Sequence, residues 1–364
     1  MKENTKRLQF LDSLRFFAAL AVIIQHTFER ISPQFGWFCS NYFQFGAFGV
    51  CLFFLCSGFI IPVSIEKHQS IKKFAISRIY RLYPIFLVSL VLKISLILHR
   101  DVHGVDPSLT NILANVSMLA KFIGQPLIEA SYWTLNLEMA FYIIVAILFK
   151  LNLLKHSVAL AGAGLLGVSL IGIVGIHILH LFDGGWLLAF YLATMFVGTL
   201  YYRYLHHQLS KTALQASVAT AIVTLVMNSY FVFGSQVPNP KNFGGESFLP
   251  VTNAILTAYL LFTVCYYFRN KSYPQLFTHL GAISYSLYLN QAIILTLVLS
   301  NIPNPVLAST LAISLTFIVS NYTYKYIEVP FINASKRIIS APKPAENTTS
   351  KKLAKAVIKP SSEV

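Results

Sequence analysis

The chain has 364 residues, of which 55% are hydrophobic and only 11% charged, with a formal net charge of +15. Together with a mean hydropathy of +0.63, this excludes an ordinary water-soluble domain and fits a bundle solvated by lipid. The excess of Lys and Arg does not indicate nucleic-acid binding, because the basic residues fall in short clusters between apolar runs rather than along one segment.

Stretches of about 20 apolar residues, the length that crosses a bilayer, predict ten spans at roughly 10–29, 43–65, 80–99, 133–150, 157–180, 185–202, 211–233, 248–268, 281–300 and 304–326. The first stretch carries Asp12, Arg15 and His26 and lacks a small-residue cleavage pattern. It is therefore expected to stay as a helix rather than be removed as a signal peptide. The segment 109–123 is short and polar-spotted and is expected in or on the outer interface. Residues 1–334 form the predicted membrane domain. Residues 335–364 mix Lys, Ser, Thr, Pro and Ala without periodicity and read as a basic, disordered cytoplasmic tail. The expected fold class is all-α, a polytopic transmembrane helical bundle.

Ten spans put both termini on one side, and the basic residues choose which. With the N-terminus inside, 22 Lys and Arg residues lie in cytoplasmic segments; Arg30, Arg100, Lys121 and Lys241 lie outside, and Arg15 and Lys93 fall within spans. That asymmetry predicts cytoplasmic termini. Cys39, Cys51, Cys56 and Cys265 form neither a disulfide framework nor a zinc spacing, so no metal site is expected.

A charge near the bilayer centre costs about 2.5–3.5 kcal/mol even on the lenient insertion scale, so ionisable residues inside spans are the first functional candidates. Asp12 and Arg15 are three apart and can pair on one helix face. His26 lies eleven residues beyond Arg15, which returns to within about 20° of the same face and rises roughly 16 Å. The competing reading is an interfacial ion pair and a headgroup-facing histidine. Glu138 sits little more than a turn below the outer start of its span, at a depth similar to His26, where a carboxylate can orient an imidazole general base. Its alternative is a lone acid in a hydrated vestibule. Arg78 and Arg81, at i and i+3, suit phosphate but also belong to a positive-inside loop. Ser57, Trp133 and Tyr285 are candidates for lining a cavity between these groups; beside Ser57, Gly58 reads as a helix-packing residue.

The ordered series LDSLRFFAALAVIIQH at 11–26, FGVCLFFLCSGFII at 48–61, ISRIYRLYP at 76–84, YWTLNLEMAFY at 132–142 and ISYSLYL at 283–289 resembles the membrane acyltransferase family 3 over about residues 8–330. The resemblance implies about ten spans and transfer of acetyl or related groups to saccharides or small glycosides. It puts the family's Arg, ten residues, His pattern on Arg15 and His26, its Arg-x-x-Arg pattern on Arg78 and Arg81, and its Trp-x-Leu-x-x-Glu pattern on Trp133, Leu135 and Glu138. By that resemblance His26 is the catalytic histidine and the arginines serve the acyl-CoA donor. Ser13, Phe16-Phe17, Met139-Ala140 and Gln291 depart from residues common in the family and bear on substrate range.

These readings combine into an expectation of an inner-membrane O-acyltransferase. Acetyl-CoA from the cytoplasm is a co-substrate rather than a bound cofactor. The partners are a saccharide or glycolipid acceptor and the bilayer. A transporter or flippase for a sugar or lipid, using the same charges for coupling, fits composition and topology equally well; consumption of acetyl-CoA separates the two. A structural scaffold has little use for buried charge.

Overall fold

The computed structural model describes residues 8–100, 105, 107–178, 185–234 and 247–340. Among the described residues there is no β-strand, as expected where lipid cannot satisfy an open sheet edge. In chain order the helices are α1 (Gln9–Phe28), α2 (Pro33–Asn41), α3 (Phe45–His68), α4 (Ile71–Arg100), α5 (Leu109–Val116), α6 (Trp133–Lys150) and α7 (Ser157–Ser169). They continue as α8 (Gly185–Leu205), α9 (Lys211–Ser229), α10 (Phe248–Tyr267), α11 (Gln275–Ala282), α12 (Ser284–Leu299), α13 (Pro305–Thr323) and α14 (Val329–Ser340). Helix starts carry ordinary cap chemistry: Ser32 accepts from Phe35 N with Pro33 following, and Asn304 accepts from Val306 N and Leu307 N ahead of Pro305.

Eight described helices are long and apolar enough to cross a membrane, and α11 with α12, bent by 64°, make a ninth if taken as one span. The remaining predicted span coincides with α8, whose 21 residues include buried Thr194, Thr199 and Arg203. All ten predicted spans thus have a helical counterpart. The 109–123 segment forms only the eight-residue α5 and the short 3-10 turn Ala120–Ile123. Ser335–Ser340, placed in the predicted tail, are the last turns of α14; the rest of that predicted tail, residues 341–364, lies outside the described residues.

Helix α3 is central, packed against α1, α8 and α10. Its most apolar window is 78% buried, against 28% for α4, α7 and α9, which turn residues such as Val91, Leu166 and Val223 outward. A helix apolar all round belongs in the middle, and one with a single packing face belongs at the rim. The α3–α8 crossing is close because Gly58 has no Cβ: one placed there would overlap the Met195 carbonyl. The packing role read for Gly58 is therefore met.

Arg203, counted in the sequence among the orienting cations, is a structural fastener. Its guanidinium donates to both Glu66 carboxylate oxygens (2.5 and 3.0 Å), Ser157 Oγ (2.8 Å), Gln208 Oε1 (2.8 Å) and the Leu154 carbonyl (2.9 Å). Tyr202 also donates to Glu66 at 3.0 Å. One saturated cation thereby joins the ends of α3, α7 and α8. Removing one partner of such a pair leaves the other charge uncompensated, so Glu66→Ala is expected to cost about 3 kcal/mol and to lower the unfolding midpoint in detergent. An unchanged midpoint would mean that the cluster is ornamental.

Candidate functional site

Two features of the inner half of the bundle open a cavity there. The bend between α11 and α12 turns the start of α12, with Ser284 and Tyr285, toward the centre. Gly281 lets α11 lie directly on α1, since a Cβ there would overlap the Asp12 backbone. Between α1, α3, α4, α6 and the α13–α14 limb lies a chamber of about 510 Å³, lined among others by Asp12, Arg15, Arg78, Arg81, Glu138, Glu328 and Lys336. Arg15, Ser57, Arg81 and Glu138, the waist, line both this chamber and a second one of about 60 Å³. The walls of the small chamber are mainly apolar: Val50, Phe53, Phe54, Leu82 and Leu135, with Tyr285 and Tyr288.

Several lining groups are fixed by hydrogen bonds. Tyr142 donates to Glu138 at 2.5 Å. Arg78 donates to Ser64 Oγ at 2.8 Å and lies over the rings of Phe74 and Tyr142. Tyr285 donates to the Leu82 carbonyl at 2.9 Å. At the far end of the small chamber Tyr288 accepts from Thr134 and donates to the Ser131 carbonyl, both at 3.0 Å.

The cations and acids of the large chamber nearly balance. Arg15, Arg78, Arg81 and Lys336 face Asp12, Glu138 and Glu328, an excess of one positive charge. Charges inside a membrane bundle persist where they pair with one another or face a water-filled cavity, and both hold here. Glu328 is 1% exposed, accepts a hydrogen bond from Ser286, and acts electrostatically on Arg81 and Arg15. A π-helical turn, Tyr324–Glu328, delivers it from the junction of α13 and α14; such turns often occur at functional sites.

His26 is elsewhere. It lies in the last turn of α1, is exposed and lines neither chamber. The charges acting on it are Arg30 and Glu129, not Glu138. Glu129 pairs with Lys93 at 2.6 Å and lies within electrostatic reach of both His26 and Tyr288. Its loop is set by the buried Asn115 side chain, which bonds Asn111, the Pro126 carbonyl and Ile128 N. Among the described residues no group of three or more His, Cys, Asp or Glu side chains is arranged to hold a metal ion.

Residues 8–325, nearly the whole described bundle, match the family model of the acyltransferase domain numbered 3. The chain belongs to acyltransferase family 3. It is also similar to the acyltransferase MdmB of Streptomyces mycarofaciens, at 27% identity over 164 residues, 42% of this chain. The match spans 41% of that relative's length. No solved structure matches the chain.

Within this family member the structure brings together Asp12, Arg15, Arg78, Arg81, Glu138, Ser57 and Tyr285 around two adjoining chambers. It does not bring His26 and Glu138 together: similar depth along their helices is not matched by a shared cavity. Trp133 stands behind Phe54 and against Tyr191 rather than at the cavity surface. Sequence reasoning missed Glu129, Glu328 and Lys336. Glu328 had a usable signal, an acid in a segment otherwise rich in cations and directly after an apolar run.

Beyond His26, Glu29 and Cys39 pack where α2 folds back on α1. Burial pushes the Glu29 carboxyl up, partly offset by hydrogen bonds with Gln25 and Cys39. Burial, with Glu29 alongside, pushes the Cys39 thiol up to about 12. A thiol reacts as its thiolate, and at pH 8 that form is about one part in 10⁴ for such a pKa. Maleimide at pH 8 is therefore expected to leave Cys39 unmodified in the folded protein and to label it after denaturation, as read by peptide mass spectrometry. Rapid labelling of the native protein would contradict the buried placement.

Proposed function

We propose that this protein is an inner-membrane O-acyltransferase that moves an acetyl group from cytoplasmic acetyl-CoA to a hydroxyl of an envelope or exported saccharide. The observation that carries the reading is the large cation-bearing chamber leading through the Arg15, Ser57, Arg81 and Glu138 waist into a small apolar one, in a chain of this family. The distribution of 22 basic residues against four supports a chamber that opens to the cytoplasm. Arg78 and Arg81 are then on the side where the donor is found and hold its phosphates, while its neutral arm extends past Arg15. Eleven helical residues separate Arg15 from His26, roughly 16 Å, a reach that an extended pantetheine arm matches.

At that end His26 acts as general base. Its imidazole removes the acceptor hydroxyl proton as the oxygen attacks the thioester carbonyl, the C–S bond breaks, and the proton passes from the imidazolium to the departing thiolate. The products are an O-acetyl ester and free CoA. Glu129, anchored by Lys93, is the carboxylate that stabilises the imidazolium. Glu138 serves the waist instead, holding its charge opposite Arg15 and Arg81.

Loss of one acid–base group commonly costs about 10²–10⁴ in rate, so His26→Ala is expected to lower acetyl transfer on that scale with normal membrane abundance. Near-normal glycan acetylation in that variant would remove the central role of His26. Arg81→Lys keeps the charge but loses the planar fork and is expected to raise KM for acetyl-CoA more than it lowers kcat. It is a cleaner probe than Arg78, whose guanidinium also packs on Phe74 and Tyr142. An unchanged donor saturation curve for Arg81→Lys would return that residue to a purely orienting role.

A further inference from the structure

One wall of the large chamber is a single stripe. Tyr324, Glu328, Ile332 and Lys336 all line it, and their spacing of four carries one face of the α13–α14 limb along the cavity. Helix α14 packs on α4, the helix that carries Arg78 and Arg81, so the stripe and the arginines face the same space from adjoining walls.

Along this stripe the sign of charge reverses. Glu328 is 1% exposed and lies near Arg15 and Arg81, at the inner part of the chamber. Lys336, eight residues or about 12 Å further along, is exposed and stands at the mouth. A ligand that fits such a gradient has an anionic head and an uncharged tail. The phosphates of such a head go to the arginines and Lys336, and its uncharged tail can pass Glu328 and Glu138 without a charge to desolvate.

We propose that Lys336 binds the 3′-phosphate of the CoA donor at the mouth of the chamber. The inference rests on the acyl-CoA reading above and adds a residue and a part of the ligand to it. In acyl-CoA the 3′-phosphate sits on the ribose, beyond the pyrophosphate and at the far end from the thioester. With the pyrophosphate at Arg78 and Arg81 and the arm directed inward, the 3′-phosphate is left at the outermost cation of the lining. A lysine ammonium is a point charge suited to that single, terminal phosphate.

The test compares acetyl-CoA with acetyl-3′-dephospho-CoA as donors to the full-length protein in proteoliposomes supplied with an envelope saccharide extract as acceptor, with release of the CoA thiol as readout. Lys336→Ala is expected to raise KM for acetyl-CoA about tenfold, the scale of one hydrogen bond to a charged group, with kcat unchanged. It should leave KM for the dephospho donor where the wild type has it, and Lys336→Arg should restore most of the difference. Arg337→Ala, which removes the same charge from the next residue but not from the chamber lining, should change neither constant. Equal shifts for both donors in Lys336→Ala, or no shift for either, would overturn the assignment. A wild-type protein that releases CoA from neither donor would instead sink the acyl-CoA reading itself.

Discussion

A guanidinium inside a lipid-solvated bundle must find acceptors or water, and the arrangement of this protein follows from how it meets that demand twice. Arg203 is saturated by Glu66, Ser157, Gln208 and a backbone carbonyl, so it fastens helices and has no donors left for a ligand. Arg15 and Arg81 are met differently. They present their charge to an open chamber and are balanced by Asp12, Glu138 and Glu328. Satisfying them draws acids from α1, α6 and the α13–α14 junction to one depth, and the cavity is the space that these elements leave between them. The same residue type is structural in one case and available for binding in the other, and the difference lies in which acceptors surround it.

The sequence was a good guide to what depends on distance along the chain and a poor one to what depends on rotation about a helix axis. Apolar length located every span, and the intramembrane charges Asp12, Arg15 and Glu138 marked the chamber wall. Whether His26 and Glu138 touch was beyond reach, because similar depth says nothing about which neighbour a side chain faces. Glu138 turns to Tyr142 and the waist, and His26 stands near Glu129. Glu129 escaped notice since its loop has no periodicity, and its position is set by the Asn115 hydrogen bonds. Lys336 was assigned to the tail because residues 335–364 mix Lys, Ser, Thr, Pro and Ala without periodicity, although α14 runs on to Ser340.

The resulting layout is directional. Cations lie on the side of α14, an apolar chamber lined by the hydrogen-bonded Thr134–Tyr288 pair adjoins the waist, and the imidazole stands in the last turn of α1. A donor with an anionic head and a long neutral arm enters such a path in one orientation only. On the proposed acyl-CoA reading, its reactive end points toward His26 while its phosphates stay behind. Electrostatic balance at the waist is what allows the neutral arm through and stops a second charge from following.

The most direct test of this account separates the two sides physically. Purified protein of known orientation in sealed proteoliposomes would receive isotope-labelled acetyl-CoA on the side of the C-terminus and a saccharide acceptor on the other. The account predicts that free CoA accumulates on the donor side while labelled ester appears on the acceptor side. Ester formed only when donor and acceptor share a compartment, or label reaching the acceptor when donor is supplied solely on the His26 side, would contradict transfer through the bundle.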